Sequence, residues 1–342
     1  MDGQMKATIV DVAKMAGVSV ATVSRVVNGN YPVRETTRQR VKAAIAALQY
    51  VPNLQARELN RQQSTTIGVV VPGLYNMFFS EVIDGIEDHL QQGDYSLLLC
   101  CTKNDPVQEE RCIRNLRSRN VSGIIVISPN TEQLAASVYD QLARQQPLVF
   151  INCSTHIAAA SYVSNDESAG TQLALRYLQS LGHEKILFVR GEKSDSYRLK
   201  ETVYRELMQE CGQLQEDRIV NIGEGNGLHT VDHTMDCLVE RLRPRDVTAV
   251  FCCNDLMGVG TLNACKRLGL QVPGEISVMG CDNISLSRFV EPKLSTIDQN
   301  MSRLGSHAAQ LLIEKIDTGR SKQVVLENRL VLRDTTGPRK YG

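Results

Sequence analysis

The sequence predicts an α/β core of two doubly wound lobes behind an all-α N-terminal headpiece. Three observations carry this expectation. Residues 6–51 read as three short helices, each with its own start and stop signals. From Ile67 onward, short apolar runs alternate with amphipathic helical stretches, the pattern of a parallel sheet covered on both faces. The stretch from Ile67 to Gly342 is long for one open sheet, so two lobes are expected.

In the headpiece, Thr8 starts the first helix, with Asp11 three residues on in the position of a capping box. Ile9, Val12, Ala13 and Ala16 form its apolar stripe, and Gly17 ends it. Ser19 caps a second helix that turns Val23, Val26 and Val27 inward and stops at Asn28-Gly29. The third carries Val41, Ala44, Ile45 and Leu48 and ends before Pro52. Two capped helices joined through Ala-Gly-Val-Ser make a helix-turn-helix, in which Gly17 permits the tight turn and Val18 fills the space between the helices. Residues 1–62 hold nine basic and four acidic side chains, a net of +5, which leaves −5 on the rest of a neutral chain. A basic head on a mildly acidic body suggests that the head binds a polyanion. Pro52–Leu59 can make two helical turns, too few to stand alone, and the polar stretch after it reads as a linker. The domains expected are a headpiece over 1–62, with a hinge helix at about 52–60, and a core over 63–342.

In the core, the strand-like runs are Ile67–Val71, Ser96–Cys100, Gly123–Ile127, Leu148–Ile151, Ile186–Val189, Val247–Cys252 and Ile276–Gly280. Helical stretches between them include Phe79–Gln91, Gln108–Ser118, Ser168–Leu181 and Leu256–Leu268. No apolar run is long enough for a membrane span, and the N-terminus lacks the apolar centre of a secretion signal, so a cytoplasmic protein is expected. The ten cysteines, with adjacent pairs at Cys100-Cys101 and Cys252-Cys253, lack any Cys-x-x-Cys and read as reduced core thiols. His229, His233 and Cys237 share a helical spacing that can hold a metal, but a partly exposed helix face accounts for it, and no metal is expected. Gly223-Glu-Gly-Asn-Gly227 lacks the strand-to-helix setting of a dinucleotide loop, and no serine sits in a Gly-x-Ser-x-Gly elbow. Neither a catalytic site nor a cofactor is therefore expected.

Several segments together resemble one family. Ile9 to Gly29 is similar, almost residue for residue, to the headpiece of the lac/gal repressor family of bacterial transcription regulators, and Tyr50–Leu59 resembles its hinge. The likeness continues in order through Asn76–Phe79, Gly182–Ile186, Cys253–Gly258, Ile276–Asp282, Pro292–Ile297 and Leu330–Thr336. It implies a core like that of periplasmic sugar-binding proteins, two lobes joined by three crossovers with an effector in the cleft. The first lobe would span about 66–162 plus 293–322, and the second about 163–292 plus 323–342. It further implies a ligand-responsive regulator, most simply a repressor of sugar or sugar-acid metabolism genes, that binds a pseudopalindromic operator. With no heptad segment after the last strand, a homodimer is expected. A phosphocarrier co-repressor is a further partner that the family permits.

By this resemblance, the recognition helix begins at Ser19 and presents Val20, Ala21 and Arg25 to the major groove. Arg25 suits a bidentate contact to guanine, and the two small apolar side chains suit thymine methyls. Thr8, Ser19, Thr22, Ser24 and Asn28 would bind phosphates. Asn53, Ala56 and Leu59 recur every three residues on one hinge face, where the family's leucine wedges into the minor groove. The third helix departs from the pattern, with Arg34 where a Ser or Thr cap is usual. The effector cleft would draw Tyr75, Asn76, Phe79 and Asn152 from the first lobe, Lys200, Asn254 and Asp282 from the second, and Gln299 from a crossover. Amides and carboxylates satisfy hydroxyl pairs, aromatic rings stack on a sugar face, and a basic group binds an oxygen or anion. The family usually has an arginine near position 200, a role that Lys200 or Arg198 must take here, and Met77 replaces a usual proline, so a sugar, a sugar acid and a sugar phosphate all fit.

Overall fold

A computed structural model describes residues 7–29, 31–51, 64–93, 95–130, 137–153, 155–192 and 194–339. The chain divides into two compact units, Met1–Ser64 and Thr65–Gly342.

The first unit holds α1 (Ile9–Ala16), α2 (Val20–Asn28) and α3 (Glu35–Ala47). Thr8 and Asp11 form the reciprocal capping box, and Gly17 closes α1 in the left-handed conformation at φ 62°. Ser19 caps α2 and Gly29 ends it at φ 71°. Val12, Ala13, Ala16, Val23, Val41 and Ala44 make the small core, with Val18, Val26 and Val27 packed against it. Arg34 sits at the N-cap of α3 without a capping side-chain hydrogen bond, and Glu35 in the first turn meets the positive end of the helix dipole.

The second unit begins with β1 (Thr66–Val71), α4 (Met77–Gln91), β2 (Ser96–Cys101), α5 (Pro106–Ser118), β3 (Gly123–Ile127), α6 (Val138–Gln145), β4 (Leu148–Ile151) and β5 (Ser161–Asn165). The chain then enters a second lobe with α7 (Glu167–Ser180), β6 (Ile186–Arg190), α8 (Asp195–Glu210), β7 (Ile219–Asn221), α9 (Thr230–Leu242), β8 (Ala249–Cys252), α10 (Asp255–Arg267) and β9 (Ser277–Met279). It returns through β10 (Thr296–Asp298) to α11 (Met301–Thr318) and β11 (Gln323–Leu326), and closes with β12 (Arg329–Val331).

The first sheet is parallel in the order β11-β5-β4-β3-β1-β2, and the second is parallel in the order β7-β6-β8-β9. In both, the chain reverses its direction of travel across the sheet beside its first strand, β1 in one lobe and β6 in the other. Loops at the carboxyl ends of strands flanking such a reversal make a crevice, and that is where open α/β sheets take ligands. The central strands β3 and β4 are apolar throughout, as burial on both faces requires: Ile124 to Ile127 and Leu148 to Ile151 are at most 1% exposed.

The lobe boundaries differ from those the resemblance implied. Gln323–Leu326 pairs in parallel with Tyr162–Asn165, so this segment belongs to the first sheet and not to the second lobe. Thr296–Asp298, placed with the first lobe by the resemblance, instead pairs antiparallel with Arg329–Val331 as a two-stranded crossover ribbon. The reason is local: β11 covers the open edge of β5, where unpaired backbone groups would otherwise remain. No helix among the described residues is long and apolar enough to cross a membrane.

Candidate functional site

In the headpiece, α2 carries an exposed face. Val20, Ala21 and Arg25 are exposed, and the Arg25 guanidinium lies 5.3 Å from the Tyr31 ring centroid. That cation–π contact holds the arginine without using its N–H donors. The hydroxyls expected to meet phosphate also serve the fold. Thr8 Oγ1 donates to Asp11 Oδ2 at 2.7 Å, and Ser19 Oγ accepts from the Thr22 backbone N–H at 3.2 Å and lies 2.9 Å from Thr22 Oγ1. Ser24 is half-buried on the same helix. Asn53, Ala56 and Leu59, and the side chain of Asn28, lie outside the described residues.

In the core, the loops after β1, β3, β6 and β8 meet in a cleft between the lobes. Asn76 caps α4 through Oδ1, which accepts from Phe78 N at 3.0 Å, and its Nδ2 reaches across to Asn226 Oδ1 at 2.9 Å. Asn254 caps α10 in the same way, accepting from Met257 N at 2.9 Å, and donates to Gly225 O at 2.7 Å and to Tyr197 Oη at 3.2 Å. Asp282 Oδ1 accepts from Gln299 Nε2 at 2.6 Å, and Gln299 Oε1 accepts from Asn165 Nδ2 at 2.9 Å. Asp282 and Asn283 follow β9 at φ 121° and 63°, a backbone conformation that side chains resist and that costs about 1–3 kcal/mol per residue. Burial pushes the Asp282 carboxyl up to about 7, against the pull of the Lys200 ammonium and of hydrogen bonds from Asn76 and Gln299.

Of the residues expected to line the cleft, Asn76, Phe79, Asn254, Asp282 and Gln299 do surround one cavity. Three do not. Tyr75 is 64% exposed and lies off the cavity wall. Asn152 turns Oδ1 to the backbone N–H of Asn165 at 3.2 Å and so ties β4 to the end of β5. Lys200, expected to hold an effector oxygen or anion, is 2% exposed behind the wall, with Nζ 3.0 Å from Glu167 Oε1 and 2.5 Å from Ser196 Oγ. A buried ammonium must be paired, and Glu167 takes that part. Burial, the largest single influence, lowers its pKa, but Glu167 together with Cys281, Cys253 and Asp282 outweighs it and raises the value above that of an ordinary lysine.

Phe78, Ser128, Glu167, Tyr197, Asn226 and Cys253 complete the wall and were not anticipated. A signal for one of them was present. The glycine cluster at 223–227, dismissed as a dinucleotide loop, is the loop that brings Asn226 into the cleft. A Cβ on Gly225 would lie 2.6 Å from Met257 Cε and 2.7 Å from Tyr197 Oη, so only glycine lets the loop approach this closely.

The cavity measures about 40 Å³, against roughly 300–1,000 Å³ for a typical small-molecule site. A ligand of sugar size does not fit this cavity as it stands. Besides Asn76–Asn226, Ser285 N and Oγ both donate to Glu81 Oε1 on α4 at 3.1 Å, and Leu256 and Ile284 pack with Phe78, Phe79 and Val82 across the junction. Glu81→Ala removes a charged acceptor from this junction. It is expected to raise the radius of gyration of the effector-free core and to alter effector affinity by roughly tenfold. Solution scattering that matches the wild type would reject Glu81 as a latch.

His229 and His233 stack their rings 6.0 Å apart, and no cluster of metal-binding side chains is present among the described residues.

A capped helix-turn-helix with an exposed arginine, together with two parallel-sheet lobes that close on a polar cleft, defines a DNA-binding regulator that responds to a ligand. Comparison with known proteins agrees. Residues 8–53 match the model for bacterial regulatory proteins of the lacI family, and residues 175–336 match a periplasmic binding protein-like domain. The HTH-type transcriptional repressor PurR of Vibrio vulnificus is 36% identical over 96% of this chain and 98% of its own, and that of Photobacterium profundum is 33% identical over 94% and 95%. The Lac repressor bound to ONPG in its repressed state superposes with a TM-score of 0.83 at 29% identity, covering 96% of this chain and 99% of that one. The chain belongs to the lacI family, whose members matched here are transcriptional repressors and not enzymes.

Proposed function

We propose that this repressor binds a pseudopalindromic operator in the cytoplasm as a homodimer, and that a small hydroxylated effector of the sugar or sugar-acid class controls it. The observation that carries the DNA half is the exposed Val20-Ala21-Arg25 face of a helix fixed at both ends by Ser19 and Gly29. Two such faces related by a two-fold axis fit two half-sites one helical turn apart. A related chain, the Lac repressor, has been seen as a dimer on its operator, at a TM-score of 0.81 to this one. The hinge residues Asn53, Ala56 and Leu59 enter the proposal on the family resemblance alone.

The effector half rests on the cleft. Parting the lobes would expose Asn76, Asn226, Asn254, Asp282 and Gln299 to the hydroxyls of a ligand, beside the rings of Phe79 and Tyr197. Because the Asn76–Asn226 bond spans the lobes, a bound ligand would change the angle between them and so couple cleft to headpiece.

The test is fluorescence anisotropy on the pseudopalindrome upstream of the gene. Arg25→Ala is expected to weaken operator binding by roughly 10- to 100-fold and to relax sequence preference at one position of each half-site. A uniform loss across all sequences, with a shallower salt dependence, would make Arg25 a phosphate contact and would move base reading elsewhere.

A further inference from the structure

The cleft has a definite charge pattern. Two carboxylates, Glu167 and Asp282, stand on the cavity wall, and no cation among the described residues does. Lys200, the basic group behind them, spends its ammonium on Glu167 and Ser196. The nearby arginines are likewise engaged, Arg190 with Glu201 and Arg198 with Asp195.

Most helix N-termini at the cleft are closed to anions as well. A helix N-terminus can bind an anion through free N–H groups. Here three of the helices that open on the cleft are capped from within, where Asn76 accepts from Phe78 N, Asn254 from Met257 N, and Asp166 from Ala169 N, while α8 and α11 have no side-chain cap. The first turns of α7 and α8 also carry Glu167 and Asp195.

Acceptors, in contrast, are in surplus. Glu167 Oε1 receives both Lys200 and Ser196, and Oε2 has no partner among the described residues. Asp282 accepts from Gln299 through Oδ1 and has further lone pairs to offer.

Resting on the effector reading above but narrowing it to exclude the sugar acids, we infer that the effector is a donor-rich ligand, uncharged or bearing an amine, whose O–H or N–H groups bridge Glu167 and Asp282, and that carboxylated and phosphorylated ligands are rejected. Lys200 is then a positioning residue. It fixes the Glu167 carboxylate on the wall and does not touch the ligand.

The test is a calorimetric titration of the full-length protein with matched probes: glucose, glucosamine, gluconate and glucose 6-phosphate, then ribose and ribose 5-phosphate, then adenine. Release of the operator is followed in parallel. An uncharged or amine-bearing probe is expected to bind and to shift operator affinity, while its acid or phosphate counterpart binds about 100-fold more weakly, because like charges meet in a desolvated site. Glucose against glucosamine separates hydroxyl from amine donors, and adenine reports a base-like ligand. Tighter binding of an acid or phosphate than of its neutral parent overturns the charge assignment while leaving the effector reading intact. Silence from every probe overturns both.

Glu167→Gln leaves the Lys200 charge uncompensated. It is expected to weaken the neutral probe and to improve gluconate or glucose 6-phosphate by about tenfold or more. An unchanged preference in this variant counts against the inference. Should Glu167→Gln fail to fold, Glu167→Asp keeps the charge but draws it back from the cavity. It is expected to weaken the neutral probe and still exclude the anions, and acceptance of the anions would overturn the inference.

Discussion

Gly85→Val is expected to cost the core about 3 kcal/mol or more and to lower its melting temperature by roughly 6 °C or more. The reason lies in how α4 and α11 cross. A Cβ built on Gly85 would stand 2.1 Å from Ser302 O and 2.8 Å from Ser302 Cα. One built on Gly305 would stand 2.0 Å from Val82 O and 2.8 Å from Ile86 N. Each glycine thus receives the backbone of the other helix, and backbone cannot swing aside as a side-chain tip can. The helices must separate, and Phe79, Val82, Ile86, Leu304, Ala308 and Leu312 then lose the close packing of their shared core. Function should suffer with stability, because α11 starts directly after Gln299 and Asn300 at the cleft. Gly73→Ala is the control, since nothing lies within 4 Å of a Cβ there. Differential scanning fluorimetry reads both. A Gly85→Val protein that melts like the Gly73→Ala control would show that the two helices can part without cost.

This contact illustrates what the chain discloses before it folds. Local physics was legible. The caps at Thr8 and Ser19, the glycine stops at Gly17 and Gly29, and the apolar runs at Gly123–Ile127 and Leu148–Ile151 depend on near neighbours and appear where expected. The short crossover strands Thr296–Asp298 and Arg329–Val331 were not read as strands, because their pairing partners are remote and three residues carry little periodicity. The same holds within the cleft. Asn76, Asn254 and Asp282 sit beside strand ends that the sequence marks, so their placement was within reach. Glu167 and Tyr197 open helices whose neighbours across the cleft come from distant segments, and nothing local shows that Lys200 will be consumed by Glu167. Charge type is visible in sequence, but which charge pairs with which is settled only by packing.

Asp282→Asn is expected to weaken effector binding by roughly 100-fold and to remove most of its dependence on pH near neutrality. The carboxyl is fully enclosed, and its burial, relieved in part by Lys200, sets it at about 7 in the folded protein against an ordinary value of 3.8. Glu167, Asp255, Cys253, Cys281 and Tyr197 are the other titratable groups tied electrostatically to it or to Lys200 beside it. If ionised Asp282 accepts the donors of the effector, affinity must rise as pH increases through about 7 and fall as the carboxyl takes up its proton below that. Stability runs the other way. A carboxyl whose folded value is raised binds its proton more tightly in the native state, so the native state loses stability as pH climbs from about 4 to 7. Asp282→Asn is therefore expected to melt above the wild type at pH 8 and to converge with it only below about pH 4. The two readouts separate the roles of the side chain. Gain of stability with loss of affinity marks a carboxylate held in the cleft for the ligand, at a cost to the fold. Wild-type affinity that stays flat between pH 6 and 8 would remove Asp282 from the binding site, whatever the melting curves show.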